Sequence, residues 1–529
     1  MALSRDVYRE LEDIVGPENL SEDLAVLDAY AFQPMGGAAQ GKRFFMKPEA
    51  TVLPGSAKDV QAIVKLCNKR KITYKASSTG YGAHNTVSAD NSIQLDMRRM
   101  NRILELDEKN MFILVEPYVS FIQVQVEAMK RGLCCHVIAA GCQTSFLASH
   151  TSMHGNNILS ISHGYSGRNL FGVEWVLPTG EMVRVGAPGS GAGWFSGDGP
   201  GPSLRGILRG ALGATGGLGV FTKCAGHLHP WPGPTEMEIS GISPYYEMEL
   251  PPNFEYHICE FPTWEQYGEA IIKIGEAGLG YALHKTGGPG SHGACVTGNN
   301  NEYYEKRQAG ELAVPFKSFS VVLAAYTPED FAYQVKTMDS IMKETGGTYS
   351  PLGEEPTWKK RDFITMIKAS FIPRLAFRLT GTFGVDGMVG MDTQDQASYG
   401  LKLDEQHRNK YAKKGIIMDD GTFNSWGVSF EGTHFALYEC GHQFSSIDMD
   451  SIKGMQEMVK EGEEICYKTP FAFSWNRMGQ EDLDRIGPVC SNYPDWQYKI
   501  KAVFDPNTAS DPMGYPTGHK GENVAGRPW

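Results

Sequence analysis

Three stretches in the first 230 residues are dominated by Ser, Thr, Gly and Asn: 77–82 (SSTGYG), 149–157 (SHTSMHGNN) and 210–219 (GALGATGGLG). Each lies between apolar runs that read as strands. Such a loop offers backbone N–H groups that no bulky side chain screens, together with hydroxyl donors. It can hold a pyrophosphate without cationic side chains. One cluster alone reads equally well as a turn; three, each between strands, constrain the fold much further. None is a G-x-x-x-x-G-K-[ST] loop. No G-x-G-x-x-G follows the first strand and opens a helix, so the doubly wound dinucleotide fold lacks its sequence context.

The surroundings of these loops read as α+β. Leu11, Ile14 and Val15 share one side of RDVYRELEDIVG. Ser56 is a candidate N-cap for a helix in which Val60, Ile63, Val64 and Cys67 recur at helical spacing. Short strands follow in ITYKA, SIQLDM, RILELD and FILVEPYV, then a helix capped by Ser120 and stopped at Gly132. LFGVEWVLPTGEMVRVG reads as a hairpin around Pro-Thr-Gly. Pro230, Pro232 and Pro234 punctuate the chain, which places a domain boundary near 232. Beyond it, longer strands alternate with aromatic-rich amphipathic helices, as in a sheet with helices on one face.

At 529 residues the chain is too long for one core, and two or three domains are expected. A net charge of -12 argues against a nucleic-acid partner. The opening MALSRDVYRELEDIVG carries acids and no apolar h-region, and no run approaches the ~20 residues of a membrane span. The ten cysteines, scattered apart from Cys134-Cys135, form no disulfide framework, and a reduced, cytoplasmic protein is expected.

PEATVLPGSAKDVQAIVKLCNKRKI, SSTGYGAHN, SIQLDMRRMNRILELDEKNMFILVEPYVSFIQVQ, GVEWVLPTGEMVRVG and GPSLRGILRGALGATGGLGVFTK occur here in that order. In this order they resemble the FAD-binding domain of the vanillyl-alcohol oxidase / p-cresol methylhydroxylase superfamily. The closing KIKAVFDPNTASDPMGYP resembles that family's returning C-terminal segment. The resemblance covers residues 45–230 and the last 35 or so, and is looser between. It implies a two-domain fold: a PCMH-type FAD-binding domain (1–232), an antiparallel-sheet cap bearing the substrate site (233–466) and a segment returning to the first domain (467–529). It also implies FAD as cofactor. The implied binding residues are Ser77, Ser78, Thr79, Gly80, Tyr81 and Gly82; Ser149, Thr151, Ser152, Gly155 and Asn156; and Gly216, Gly217, Gly219 and Val220.

The loop STGYG is similar to the SGYG of the 4-alkylphenol oxidase branch rather than to the GGGTG of hydroxy-acid members. That similarity implies a phenolate site in which Tyr81 is joined by Tyr467 and Lys468, the counterparts of a Tyr-Arg pair. Hydride transfer to flavin N5 from a benzylic carbon is favourable when the phenol is held as phenolate. Two hydroxyl donors and one cation would stabilise that charge. The alternative is that Tyr81 packs on the flavin while Tyr467 and Lys468 are ordinary strand residues. The branch carries an aspartate near flavin N5; QTSFLASHTS puts Leu147 or a neighbour there, with His150 and His154 as substitute bases. His434, beside Glu431, falls at the family's flavin-linking segment, which leaves covalent attachment open. A metal reading of His434, Glu439 and His442 finds no third ligand in register along one strand, so no metal is assigned.

The expected function is therefore an FAD-dependent oxidoreductase taking a hydride from a para-hydroxybenzylic or other phenolic substrate. Two alternatives stand beside it. One is a 2-hydroxy-acid dehydrogenase, with Arg374 or Arg378 for the carboxylate and His434 or His442 as base. The other is a flavin electron-transfer subunit of a larger complex. The electron acceptor is left open between oxygen, a cytochrome and an iron-sulfur partner, and a homo-oligomer is the default.

Overall fold

A computed structural model describes residues 3–32, 44–80, 85–136, 141–153, 155–186, 202–209, 213–287, 292–368, 378–469, 484–485, 493–512 and 515. Tyr81, Gly82, His154 and Arg374 lie outside them.

The chain opens with helix α1 (Arg5–Val15), which buries Val7, Leu11 and Val15. Strands β1 (Leu20–Ser21), β2 (Ala50–Val52), β3 (Thr73–Ser77) and β4 (Ser92–Asp96) form a sheet in the order β1-β2-β4-β3. Its last two pairings are parallel. Helix α2 (Ala57–Arg70) covers it, started by Ser56, whose hydroxyl accepts from the Asp59 N–H at 3.2 Å. Val60, Ile63, Val64 and Cys67 of α2 are all buried, as their helical spacing predicts.

A second, antiparallel sheet follows: β5 (Ile103–Asp107), β6 (Phe112–Val115), β7 (Leu170–Val176), β8 (Met182–Val185) and β9 (Val220–His227), in the order β5-β6-β9-β7-β8. The expected hairpin is β7–β8. Packed against this sheet are α3 (Phe121–Met129), begun by a Ser120–Gln123 capping box, and α4 (Phe146–Thr151).

Two short two-stranded pairs aside, two further sheets among the described residues are antiparallel, as the α+β reading requires. One contains β10 (Phe254–Glu260), β11 (Ala282–Lys285), β12 (Ser318–Ala324) and β13 (Thr348–Tyr349), ordered β11-β12-β10-β13. The other has β14 (Phe383–Asp392), β15 (Trp426–Phe430) and β16 (Phe435–Gln443), ordered β14-β16-β15. Helices α5 (Trp264–Glu276), α6 (Pro328–Thr345), α7 (Gln394–Lys413) and α8 (Met449–Lys468) accompany them.

Strand alternation divides β16 between two cores. Leu437, with Val428 and Phe430, packs among Tyr256, Trp358 and Phe363, and also against Ile158, Leu159 and Tyr165 from the N-terminal half. Ala436, Tyr438 and Cys440 point the other way, into a core with Ile271, Leu401 and Cys466 from the helices.

Tyr467 and Lys468 are not strand residues: they form the last turn of α8. Ile452, Met455, Met458 and Cys466 are buried along this helix, and that helical spacing carries it through to 468. After α9 (Tyr493–Phe504), residues 509–511 run beside β3. The Tyr74 N–H donates to Ala509 O and the Asp511 N–H to Tyr74 O, each at 2.9 Å. No helix among the described residues is long and apolar enough to cross a membrane.

Candidate functional site

The three Ser/Thr/Gly clusters come together at the C-terminal end of β3. Lys75 is fully buried; its ammonium donates to Thr215 O at 3.0 Å and lies 3.5 Å from Asp511 Oδ1. Asp511 in turn accepts from the N–H and the hydroxyl of Ser88, both at 2.7 Å. The turn 213–217 docks onto the end of α4: the Ala214 N–H donates to Thr151 O (2.8 Å) and the Thr215 N–H to Ser152 O (2.9 Å). Gly213 makes that approach possible, since a Cβ there would sit 2.5 Å from Thr151 O at a φ of 55°. Ser510 clamps the same turn, its hydroxyl donating to Gly216 O and accepting from the Gly219 N–H. The Lys501 ammonium adds a bond to Gly217 O at 2.6 Å.

β3 then leads through Ser77, Ser78 and Thr79 to Gly80, which has a φ of 74° and open space where a Cβ would stand. Beyond α4, the Gly155 carbonyl accepts from the N–H and the hydroxyl of Ser166. The neighbouring Asn157 is fully buried, and its Nδ2 donates to Gly164 O. Its Oδ1 has no donor among the described residues. An open left-handed glycine, a row of hydroxyls and an orphaned buried acceptor are the kinds of group that suit a dinucleotide with both phosphate and hydrogen-bond donor groups. Asn157 was missed in the sequence because its orphaned oxygen is a property of packing. Thr151 is a support here rather than an open hydroxyl: it is buried and donates to Leu147 O.

A second feature is the carboxyl of Glu439 on β16. By strand alternation it shares the face of Leu437, and it sits opposite Trp426 and Val389 on the adjoining strands. Burial pushes its carboxyl up to about 7, and no cation opposes that shift among the described residues. A carboxyl titrating near neutrality can accept and return a proton at ordinary pH. Asp362, buried behind the same core, is the opposite case. Burial works against its charge, yet His284, Arg361 and the Tyr256 hydroxyl hold it well below the usual carboxylate range.

The other nominated residues scatter. Lys468 is exposed at the end of α8, and the ring of Tyr467 lies under the Arg485 guanidinium, 3.6 Å from its centroid. His434 is exposed at the β15–β16 turn. Its neighbour Glu431 pairs with Arg168 at 3.1 Å. His442 faces the helices, with its Nε2 3.0 Å from Asp404. Arg378 spends its guanidinium on Thr297, donating to the carbonyl and the hydroxyl. Leu147 is core, and so is His150, which is buried among Phe121, Phe146 and His136 with Nδ1 2.6 Å from Phe146 O.

Residues 48–186 match a family model described as an FAD binding domain. The chain is 25% identical over 451 residues to a D-lactate dehydrogenase of Anaerostipes hadrus, spanning 80% of this chain and 90% of that protein. It is 31% identical over 197 residues to the 4-cresol dehydrogenase [hydroxylating] flavoprotein subunit of Pseudomonas putida, spanning 35% of this chain and 36% of that protein. A solved structure of 4-ethylphenol oxidase from Gulosibacter chungangensis, in complex with isoeugenol, matches with a TM-score of 0.72. That match covers 97% of each chain at 18% identity, and the two share a fold.

Proposed function

We propose that this FAD-dependent oxidoreductase, with the fold of the vanillyl-alcohol oxidase / p-cresol methylhydroxylase superfamily, oxidises a para-hydroxybenzylic or related phenolic substrate with Glu439 as its acid/base. The assignment of 1–232 as cofactor domain, 233–466 as substrate cap and 467–529 as returning segment belongs to the same reading. FAD, when bound, supplies the hydride acceptor at N5. Ser77, Ser78, Thr79, Gly80 and Gly82 would hold it together with Ser149, Ser152, Gly155, Asn156, Asn157 and the turn from Gly216 to Val220.

The observation that carries the reading is the near-neutral carboxyl of Glu439 on the cap face turned toward the cofactor half. A carboxylate with no cation beside it among the described residues repels an anionic hydroxy acid and tolerates a phenol that enters neutral. Trp426, opposite Glu439, and the surrounding aromatic core offer flat apolar walls to a ring. In this reading Tyr81 donates to the phenolic oxygen, and neither Tyr467, whose ring lies under Arg485, nor exposed Lys468 is needed.

A second reading, oxidation of a 2-hydroxy acid, is favoured by the length of the alignment with the D-lactate dehydrogenase. Of its nominated residues, Arg378 and His442 are engaged elsewhere, His434 is exposed and Arg374 lies outside the described residues. The visible spectrum of the oxygen-free holoprotein separates the two. Bleaching of the flavin band by 4-hydroxybenzyl alcohol and not by D-lactate is expected; the reverse result would transfer the site to hydroxy acids.

A further inference from the structure

Two buried ammonium groups lie against the turn 214–219. Lys75 of β3 donates to Thr215 O at 3.0 Å, and Lys501 of α9 donates to Gly217 O at 2.6 Å. The turn spends most of its own N–H groups inward. Those of Ala214 and Thr215 donate to Thr151 O and Ser152 O, that of Gly217 to Ala214 O, and that of Gly219 to the Ser510 hydroxyl. The N–H groups of Gly216 and Leu218 have no partner among the described residues.

The Thr215 carbonyl and the Gly216 N–H belong to one peptide unit, and the Gly217 carbonyl and the Leu218 N–H to another. In a trans peptide the two groups point in opposite directions, so each N–H faces away from the lysine that holds its carbonyl. A charged donor on the carbonyl polarises the peptide and strengthens its N–H as a donor. Glycine at 216 lets the lysine come this close, since a Cβ there would lie 3.1 Å from Lys75 Cε. We propose that Lys75 and Lys501 are positioning residues for FAD. From behind the turn they set and polarise the Gly216 and Leu218 N–H groups, which donate to acceptor atoms of the cofactor. This role rests on FAD as the cofactor and is independent of the substrate.

The same lysines tie the turn to the C-terminal segment. Besides Gly217 O, the Lys501 ammonium donates to Asp505 Oδ2 at 2.6 Å and to Ser510 O at 2.9 Å. Asp505 also accepts from the N–H groups of Ala509 and Ser510, at 2.8 and 3.0 Å. Lys75 lies 3.5 Å from Asp511 Oδ1. Burial works against both ammonium charges, and Asp511 and Asp505 answer it. Whatever orders the turn therefore orders residues 505–511, and FAD binding and the docking of that segment form one linked equilibrium. The alternative is that the lysines only fasten the segment to the sheet and leave the cofactor unaffected.

A dilution series of the holoprotein, read by the fluorescence of released FAD, separates the two. Lys75→Met alone leaves Asp511 buried without its counter-charge and should cost stability. Lys75→Met combined with Asp511→Asn removes both charges, so the flavin-free double variant should melt close to wild type. Its affinity for FAD should still fall about 10–100-fold, the loss of one charge-assisted hydrogen bond behind the turn. Fastening alone predicts that affinity returns with stability, and wild-type affinity in the double variant overturns the proposal. Should that variant not fold, amide exchange in the unmodified protein decides. Removing FAD should speed exchange of the Tyr74 and Asp511 amides, which bridge β3 and the C-terminal segment, more than that of the amides in β10 and β12. Equal acceleration in the two places overturns the proposal.

Discussion

The two faces of β16 are buried by the same fold and behave in opposite ways. On one, Glu439 has no charged partner among the described residues, and burial drives its carboxyl up to about 7. On the other, burial works equally against Asp386, but His407 and His442 answer it and the carboxyl stays below its ordinary value. Burial by itself therefore says little about a carboxyl. The partner decides whether it becomes a reactive acid/base or a fixed part of the frame.

Substitution tests that division most strongly at Glu439. Glu439→Gln should lower turnover of 4-hydroxybenzyl alcohol by about 10²–10⁴-fold while FAD stays bound. Unchanged steady-state kinetics would remove Glu439 from the mechanism. Its counterpart, Asp386→Asn, should cost about 3–5 kcal/mol of stability, because it leaves buried imidazoles without their counter-charge. Activity per folded molecule should survive. A denaturant midpoint equal to wild type would erase the contrast between the faces. Gly462→Ala attacks the frame through packing alone, and overfilling that contact should cost about 1–3 kcal/mol, read from the same curves.

The pH dependence is a finer test. The Glu439 carboxyl moves from an ordinary 4.5 to about 7 on folding. The native state then keeps a proton that the unfolded chain has lost, so the stability contributed by this group is fully present below 4.5 and is lost as pH rises through 7. Melting temperatures across that window should fall in wild type and flatten in Glu439→Gln, whereas kcat/KM should rise through the same window as the base forms. The smallest effect belongs to exposed His434. His434→Ala should shift stability by less than about 0.5 kcal/mol and leave the flavin extractable by acid from both proteins. Flavin that stays with wild type and not with the variant would make His434 an attachment point.

Much of the cofactor half was legible from spacing. Val60, Ile63, Val64 and Cys67 announced α2, Ser56 and Ser120 announced helix starts, and the Pro-Thr-Gly turn announced β7–β8. These signals are local, and local periodicity survives whatever the rest of the chain does. Reading failed where a residue's environment comes from distant segments. Tyr467 and Lys468 were weighed as strand residues because the long amphipathic run from 449 was not followed to its end. His442 was weighed along its own strand, where only alternate residues share a face, and its partners Asp386 and Asp404 come instead from β14 and α7.

Sequence alone determined the α+β character and the loops that can cradle a dinucleotide, because each rests on residue types at short spacing; FAD-dependent oxidation came from the family resemblance that the ordered motifs carry. Tertiary structure alone decided that Glu439 is a near-neutral carboxyl with no cation beside it among the described residues, while His442, three residues on, pairs with Asp386 and Asp404. A strand sends neighbouring side chains to opposite faces, and what each face meets depends on which layers pack against it, a fact no stretch of chain contains by itself.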